Sequence, residues 1–211
     1  MRRLPVYLLL DTSGSMRGER IESVKVGLQA MLSSLRQDPL ALESVHLSII
    51  TFDRDVNVLT PLTSLEQFIL PELTTPDSGP THMGEALEVV ARQVKCEVIQ
   101  HNDGRKGDWR PLLFLMTDGS PSDKQKFNAM VPIIKSMNFA IIVACAAGSK
   151  ASPDALAQIA NTVVVLDTMD SASFAGFFRW VSSSVTVGNS SMGITTDVEL
   201  PKPPEEIQVV L

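Results

Sequence analysis

Five stretches of this chain, Leu4–Leu10, Val45–Phe52, Leu112–Met116, Phe139–Ala146 and Val163–Leu166, are apolar runs of strand length with few interruptions. A strand with one face in water alternates apolar and polar residues, whereas a continuous run has both faces covered, as in central parallel strands. Between the runs lie stripes at helical spacing: Ile21, Val24, Leu28, Met31 and Leu35, then Met83, Leu87, Val90 and Val94, then Phe127, Met130, Val131 and Ile134. Each stripe would cover a sheet face. This alternation through short loops predicts an α/β fold: a doubly wound, Rossmann-like open sheet, mostly parallel, with helices on both faces.

Only Asp53 and Arg54 separate the second run from Asp55–Thr60. A connection that short joins antiparallel neighbours, so Val56 and Val58 are assigned to an edge hairpin strand, giving six strands with one reversed. Pro132 falls inside the third helical stripe, where its missing N–H predicts a kink or an early end. A last helix is expected over about Ser171 to Val185, capped by Asp170 or Ser171 and carrying Phe174, Phe177, Phe178 and Val181 on one face. Residues 188–211 turn to Gly, Ser and Asn and then to Pro201, Pro203 and Pro204. The expected division is therefore a folded unit over 1–187 and a tail over 188–211 whose apolar end, from Ile207, is able to dock.

The chain has 211 residues, which suits one domain with an appendage. Its 18 Lys+Arg against 24 Asp+Glu give a net charge of −6. That balance argues against nucleic acid or an anionic membrane as the main partner, since both are held by a positive field. No apolar run reaches the roughly 18 residues of a membrane span. Arg2-Arg3 before Leu4–Leu10 superficially resembles a secretory start, but no small-residue cleavage site follows, so the run is read as a buried strand. Cys96 and Cys145 lack the spacing of a zinc or redox pair and read as free thiols, which makes the expected location cytoplasmic.

In a doubly wound sheet, ligands sit beyond the carboxyl ends of the strands where the winding reverses. Two runs end in an acidic residue before a turn: Asp11-Thr12-Ser13-Gly14-Ser15 and Thr117-Asp118-Gly119. A third loop, Ser78-Gly79-Pro80-Thr81, precedes the helix that starts near His82. Asp11, Ser13, Ser15, Thr81 and Asp118 together offer two carboxylates and three hydroxyls with no thiolate. That donor set suits a hard cation, Mg²⁺ or Mn²⁺, and hydroxyl ligands leave the ion electrophilic enough to take a carboxylate from another molecule. Met16, Arg17, His82, Ser120 and Pro121 are expected to ring the ion and contact a partner.

At these residues the chain resembles the von Willebrand factor A domain and its metal-ion-dependent adhesion site, whose pattern is D-x-S-x-S, then a distant Thr, then a distant Asp. The five positions match it one for one, and the likeness runs from about Leu4 to Val185. More narrowly, the chain resembles stand-alone bacterial A-domain proteins of tellurium-resistance loci. That likeness implies a stress-linked setting with a protein kinase and a PP2C-like phosphatase.

The expected function is a non-enzymatic interaction domain whose metal captures an Asp or Glu of a partner protein. The alternative is an Mg²⁺- or Mn²⁺-dependent phosphoester hydrolase using the ion as a Lewis acid, although no general base stands out. His82 does not complete a serine hydrolase pattern, because Asp11-Thr12-Ser13-Gly14-Ser15 is not G-x-S-x-G. The charged tip Asp53-Arg54-Asp55 reads as a solvated turn, and Trp109 as a packing cap at the opposite end of the sheet.

Overall fold

The computed structural model describes residues 2–102, 104, 106–191, 200–204 and 207–210. The apolar runs form β1 (Leu4–Asp11), β2 (Val45–Phe52), β4 (Leu112–Thr117), β5 (Ile141–Ala147) and β6 (Thr162–Leu166). The hairpin strand β3 spans Val56–Ser64, and a two-residue strand, β7, forms at Gln208–Val209. The helices are α1 (Glu19–Gln37), α2 (Pro39–Ser44), α3 (Met83–Glu97), α4 (Lys124–Ser136), α5 (Pro153–Leu156) and α6 (Ser171–Ser191).

The sheet order is β3-β2-β1-β4-β5-β6-β7, parallel from β2 to β6 and antiparallel at both edges. Winding runs outward from β1 to β2 and β3, then resumes on the other side of β1 with β4. The switch point therefore lies between the carboxyl ends of β1 and β4.

Strand geometry explains why the runs are continuous. Successive side chains point to opposite faces, so Leu4, Val6, Leu8 and Leu10 enter the core shared with α1 and α6, while Tyr7 and Leu9 enter the core shared with α3 and α4. β4 divides likewise, with Leu112, Phe114 and Met116 on the first face and Leu113 and Leu115 on the second. On the first face α1 and α6 approach closely: a Cβ on Gly27 would stand 2.4 Å from Phe178 Cδ2. Asp170 caps α6 as expected, accepting from Ser173 N–H at 2.8 Å. At the far end of the sheet the Arg2 guanidinium stacks on Trp109, 3.6 Å from the ring centroid.

Three features go beyond the sequence reading. α4 continues through Pro132 to Ser136; Asn128, whose carbonyl Pro132 cannot serve, is exposed, so solvent can take that bond. α6 runs on to Ser191, past the boundary placed at 187. Beyond it the chain returns to the domain: Trp180 Nε1–H donates to the Pro201 carbonyl at 2.8 Å, Ile207 is buried, and β7 pairs with β6 as a seventh strand. The apolar residues at the end of a Pro-rich stretch supply the reason, because burying Ile207 and satisfying the β6 edge both favour docking over solvation.

Candidate metal centre

β1 delivers Asp11 at its carboxyl end, and the next residues tighten into a 3₁₀ turn over Gly14–Met16. The Asp11 carboxylate accepts from Ser13 N–H at 2.8 Å through Oδ1 and from the Thr117 hydroxyl at 2.5 Å through Oδ2. Thr117 ends β4, so this bond ties the two strands together at the switch point. Ser13 Oγ lies 3.1 Å from Ser15 Oγ, and Ser15 Oγ–H donates to Asp118 Oδ1 at 2.7 Å. Ser13, Ser15 and Asp118 thus form a run of linked oxygens, which the Ser13 N–H joins to the Asp11 carboxylate. Asp11, Ser13 and Asp118 are buried and Ser15 is exposed, which gives the cluster a floor and a mouth.

The third loop closes on the other two by close backbone approach. A Cβ on Gly14 would stand 2.6 Å from Ser78 Cα, and one on Gly119 would stand 3.3 Å from Thr81 Oγ1. Thr81 and Ser122 clamp each other: Thr81 N–H donates to Ser122 Oγ and Ser122 N–H to the Thr81 carbonyl, both at 2.9 Å. The three loops that carry the five residues expected from the sequence therefore converge at the switch edge. Among the described residues no group of three or more His, Cys, Asp or Glu side chains is placed to hold a metal.

Two rim expectations need correction. Met16 is fully buried, because the 3₁₀ turn directs it inward against the first core face. Pro121 is buried as the chain turns back from Ser120 toward the Ser122–Thr81 clamp. Arg17 and Ser120 are exposed, and Arg17 pairs with exposed Asp77. His82 is half-exposed, with Nδ1 2.8 Å from the Arg54 carbonyl.

Several supporting residues escaped the sequence reading. Asp53 is a brace as well as a turn residue: its Oδ2 accepts from Thr12 Oγ1 at 3.2 Å and its carbonyl from His82 N–H at 2.9 Å. Asp123 does not cap its own helix; its carboxylate accepts from Gly84 N–H at 3.0 Å and Glu85 N–H at 2.8 Å, capping α3 instead. Arg20 donates to the Ser15 carbonyl at 2.7 Å and to Asp118 Oδ2 at 3.4 Å. No local motif marks these, since each partner comes from a distant loop or another element. Thr117, adjacent to Asp118 at a strand end, carried the one usable signal.

Burial pushes the Asp11 carboxyl up to about 6, against the bonds from Ser13 and Thr117 that favour its ionised form; the charge of Asp118 adds to the rise. Between the ordinary carboxylate value and about 6 the folded, metal-free chain binds more protons than the unfolded chain at this residue. Its contribution to stability is therefore greatest at low pH and is lost as pH rises through that window, up to about 3 kcal/mol in all. Urea midpoints in EDTA should show this: from pH 4 to 7, Asp11→Asn should lose less stability than the parent. Equal slopes would contradict it.

The fold and the loop cluster define a doubly wound α/β domain with an all-oxygen site at its switch point. The family model of the von Willebrand factor type A domain matches residues 6–176, and the chain belongs to that family. Domains of this family are commonly metal-dependent protein-interaction modules. The chain is similar in fold to a von Willebrand factor type A structure from Catenulispora acidiphila, with 17% identity, TM-score 0.67, and coverage of 88% of this chain and 43% of that one. It is likewise similar to proximal thread matrix protein 1 from the mussel byssus, at 17% identity and TM-score 0.64, covering 86% of this chain and 47% of that one. Another structure of the mussel protein, with a zinc-occupied metal-ion-dependent adhesion site, aligns at 16% identity and TM-score 0.60, covering 86% and 48%. The chain thus spans less than half the length of each of these. No curated protein matches it. Among the described residues no helix is long and apolar enough to cross a membrane.

Proposed function

We propose that this chain is a metal-dependent protein-interaction domain, holding Mg²⁺ or Mn²⁺ with Asp11, Ser13, Ser15, Thr81 and Asp118 and capturing an Asp or Glu side chain of a partner. The observation that carries this reading is the convergence of three loops: the linked oxygens of Ser13, Ser15 and Asp118, Asp11 bonded to Ser13 N–H beside them, and Thr81 against Gly119. An all-oxygen set fits a hard cation, and Asp11, buried with hydroxyl and amide partners, gains from a cation that compensates its ionised form. The zinc-occupied site of the mussel protein supports a divalent ion at this place in the fold. Bound there, the ion would supply Lewis acidity toward a carboxylate. Around it, Ser15 at the mouth and the exposed Arg17 and Ser120, with half-exposed His82, form the surface that meets the partner.

The narrower setting, a bacterial tellurium-resistance system with a protein kinase and a PP2C-like phosphatase, rests on the sequence resemblance, and a cytoplasmic location on Cys96 and Cys145 being free thiols. We propose binding rather than turnover as the activity.

Capture from an extract of the source cell tests the reading. The immobilised chain should hold its partner in millimolar Mg²⁺ and release it in EDTA, and Asp118→Ala should hold little in either. Equal capture with chelator present would overturn it.

A further inference from the structure

Arg20 stands where its own helix gives it no reason to be. It lies in the first turn of α1, where the helix dipole favours the neighbouring Glu19 and Glu22 and disfavours a cation. What holds it is the loop cluster: the guanidinium donates to the Ser15 carbonyl at 2.7 Å and reaches Asp118 Oδ2 at 3.4 Å. The Asp118 side chain is 2% exposed and that of Arg20 is 44% exposed, so one buried carboxylate shares a fixed positive charge that is open to solvent. Arg17 is differently placed, paired with Asp77 on the surface.

We infer that Arg20 is a specificity-determining residue of the site, trading metal affinity for selectivity toward an acidic ligand. The inference rests on the proposed metal-dependent capture. Asp11 and Asp118 together balance a divalent cation, and Arg20 leaves the loaded cluster with one net positive charge. Shared with Arg20, Asp118 is a poorer ligand to the metal. The surplus charge beside the mouth attracts an anionic side chain and gives nothing to a neutral one.

Opposed signs separate this role from a structural one. Mn²⁺ binding is measured by calorimetry, and acetate binding to the Mn²⁺-loaded chain by broadening of the acetate methyl resonance. Arg20→Gln should bind Mn²⁺ about 3- to 10-fold more tightly and acetate about 3- to 10-fold more weakly, both changes shrinking at high salt. Arg20→Lys, which keeps the charge, should restore both affinities toward the parent. If Arg20→Gln leaves both affinities unchanged, or weakens both, Arg20 is a structural support and the inference is overturned while metal binding stands. If the parent chain itself does not bind Mn²⁺, the proposed function falls and this inference with it.

Discussion

On the proposed reading, Asp11→Ala should all but abolish divalent-cation binding: in a calorimetric titration with Mg²⁺ or Mn²⁺ the affinity is expected to fall by at least about 100-fold, more than the 10- to 100-fold typical of losing a supporting residue. Asp11 is buried beside the oxygen run, and its two oxygens organise both sides of the cluster by accepting from Ser13 N–H and from Thr117. Removing the carboxylate takes away a charge the cation needs and frees the loop after β1 from the end of β4. Asp11→Asn should lose the metal as well, yet in EDTA at neutral pH it should unfold at a higher urea concentration than the parent, because a neutral amide avoids the cost of a buried charge. A chain that loses metal and gains metal-free stability cannot have been merely misfolded. Undiminished metal binding in Asp11→Ala would remove the basis of the proposed site.

Gly84→Ala should be strongly destabilising for a residue that touches no ligand. Its Cβ would stand 2.3 Å from Phe127 N and 2.8 Å from Lys126 C, both backbone atoms of α4, and 2.8 Å from Asp123 Oδ2. Backbone cannot step aside as a flexible side chain does, so α3 and α4 must separate, at a cost of about 1–3 kcal/mol or more. The same shift breaks the Asp123 cap on Gly84 and Glu85 and disturbs the Thr81–Ser122 clamp next to it. The urea midpoint and the Mg²⁺ affinity should therefore fall together. Gly79→Ala is the control: its Cβ would meet nothing closer than Pro76 Cγ at 3.9 Å, and both readouts should stay at parent values. A Gly84→Ala chain as stable as the parent would show that the helices have more room than these distances allow.

Much of the architecture was legible because its causes are local. β2 forms at Val45–Phe52, as its apolar run requires, and β1 and β4 each extend their runs by one residue into Asp11 and Thr117. The apolar run from Phe139 starts ahead of β5, which begins at Ile141, because apolar character alone does not tell a buried loop residue from a strand residue. The seventh strand was not foreseen: two residues make no periodic pattern, and β7 exists only because the β6 edge is there to pair with. The convergence of the three loops was legible, since a strand end followed by a turn places its own side chains at the switch edge. The rim was not, because whether Met16 and Pro121 face solvent depends on how tightly the turns close.

The order of apolar runs and helical stripes, the acids and hydroxyls at the strand ends, and the all-oxygen character of the donors are properties of the chain as written. Each depends on neighbours a few residues away. The pairing of Arg20 with Asp118, the Thr117 bond to Asp11 and the Asp123 cap on α3 join residues 98, 106 and 39 positions apart. No periodicity encodes such partners. Only the packed sheet, by setting β1 beside β4 and α3 against α4, brings those charges within reach and decides which of them hold one another.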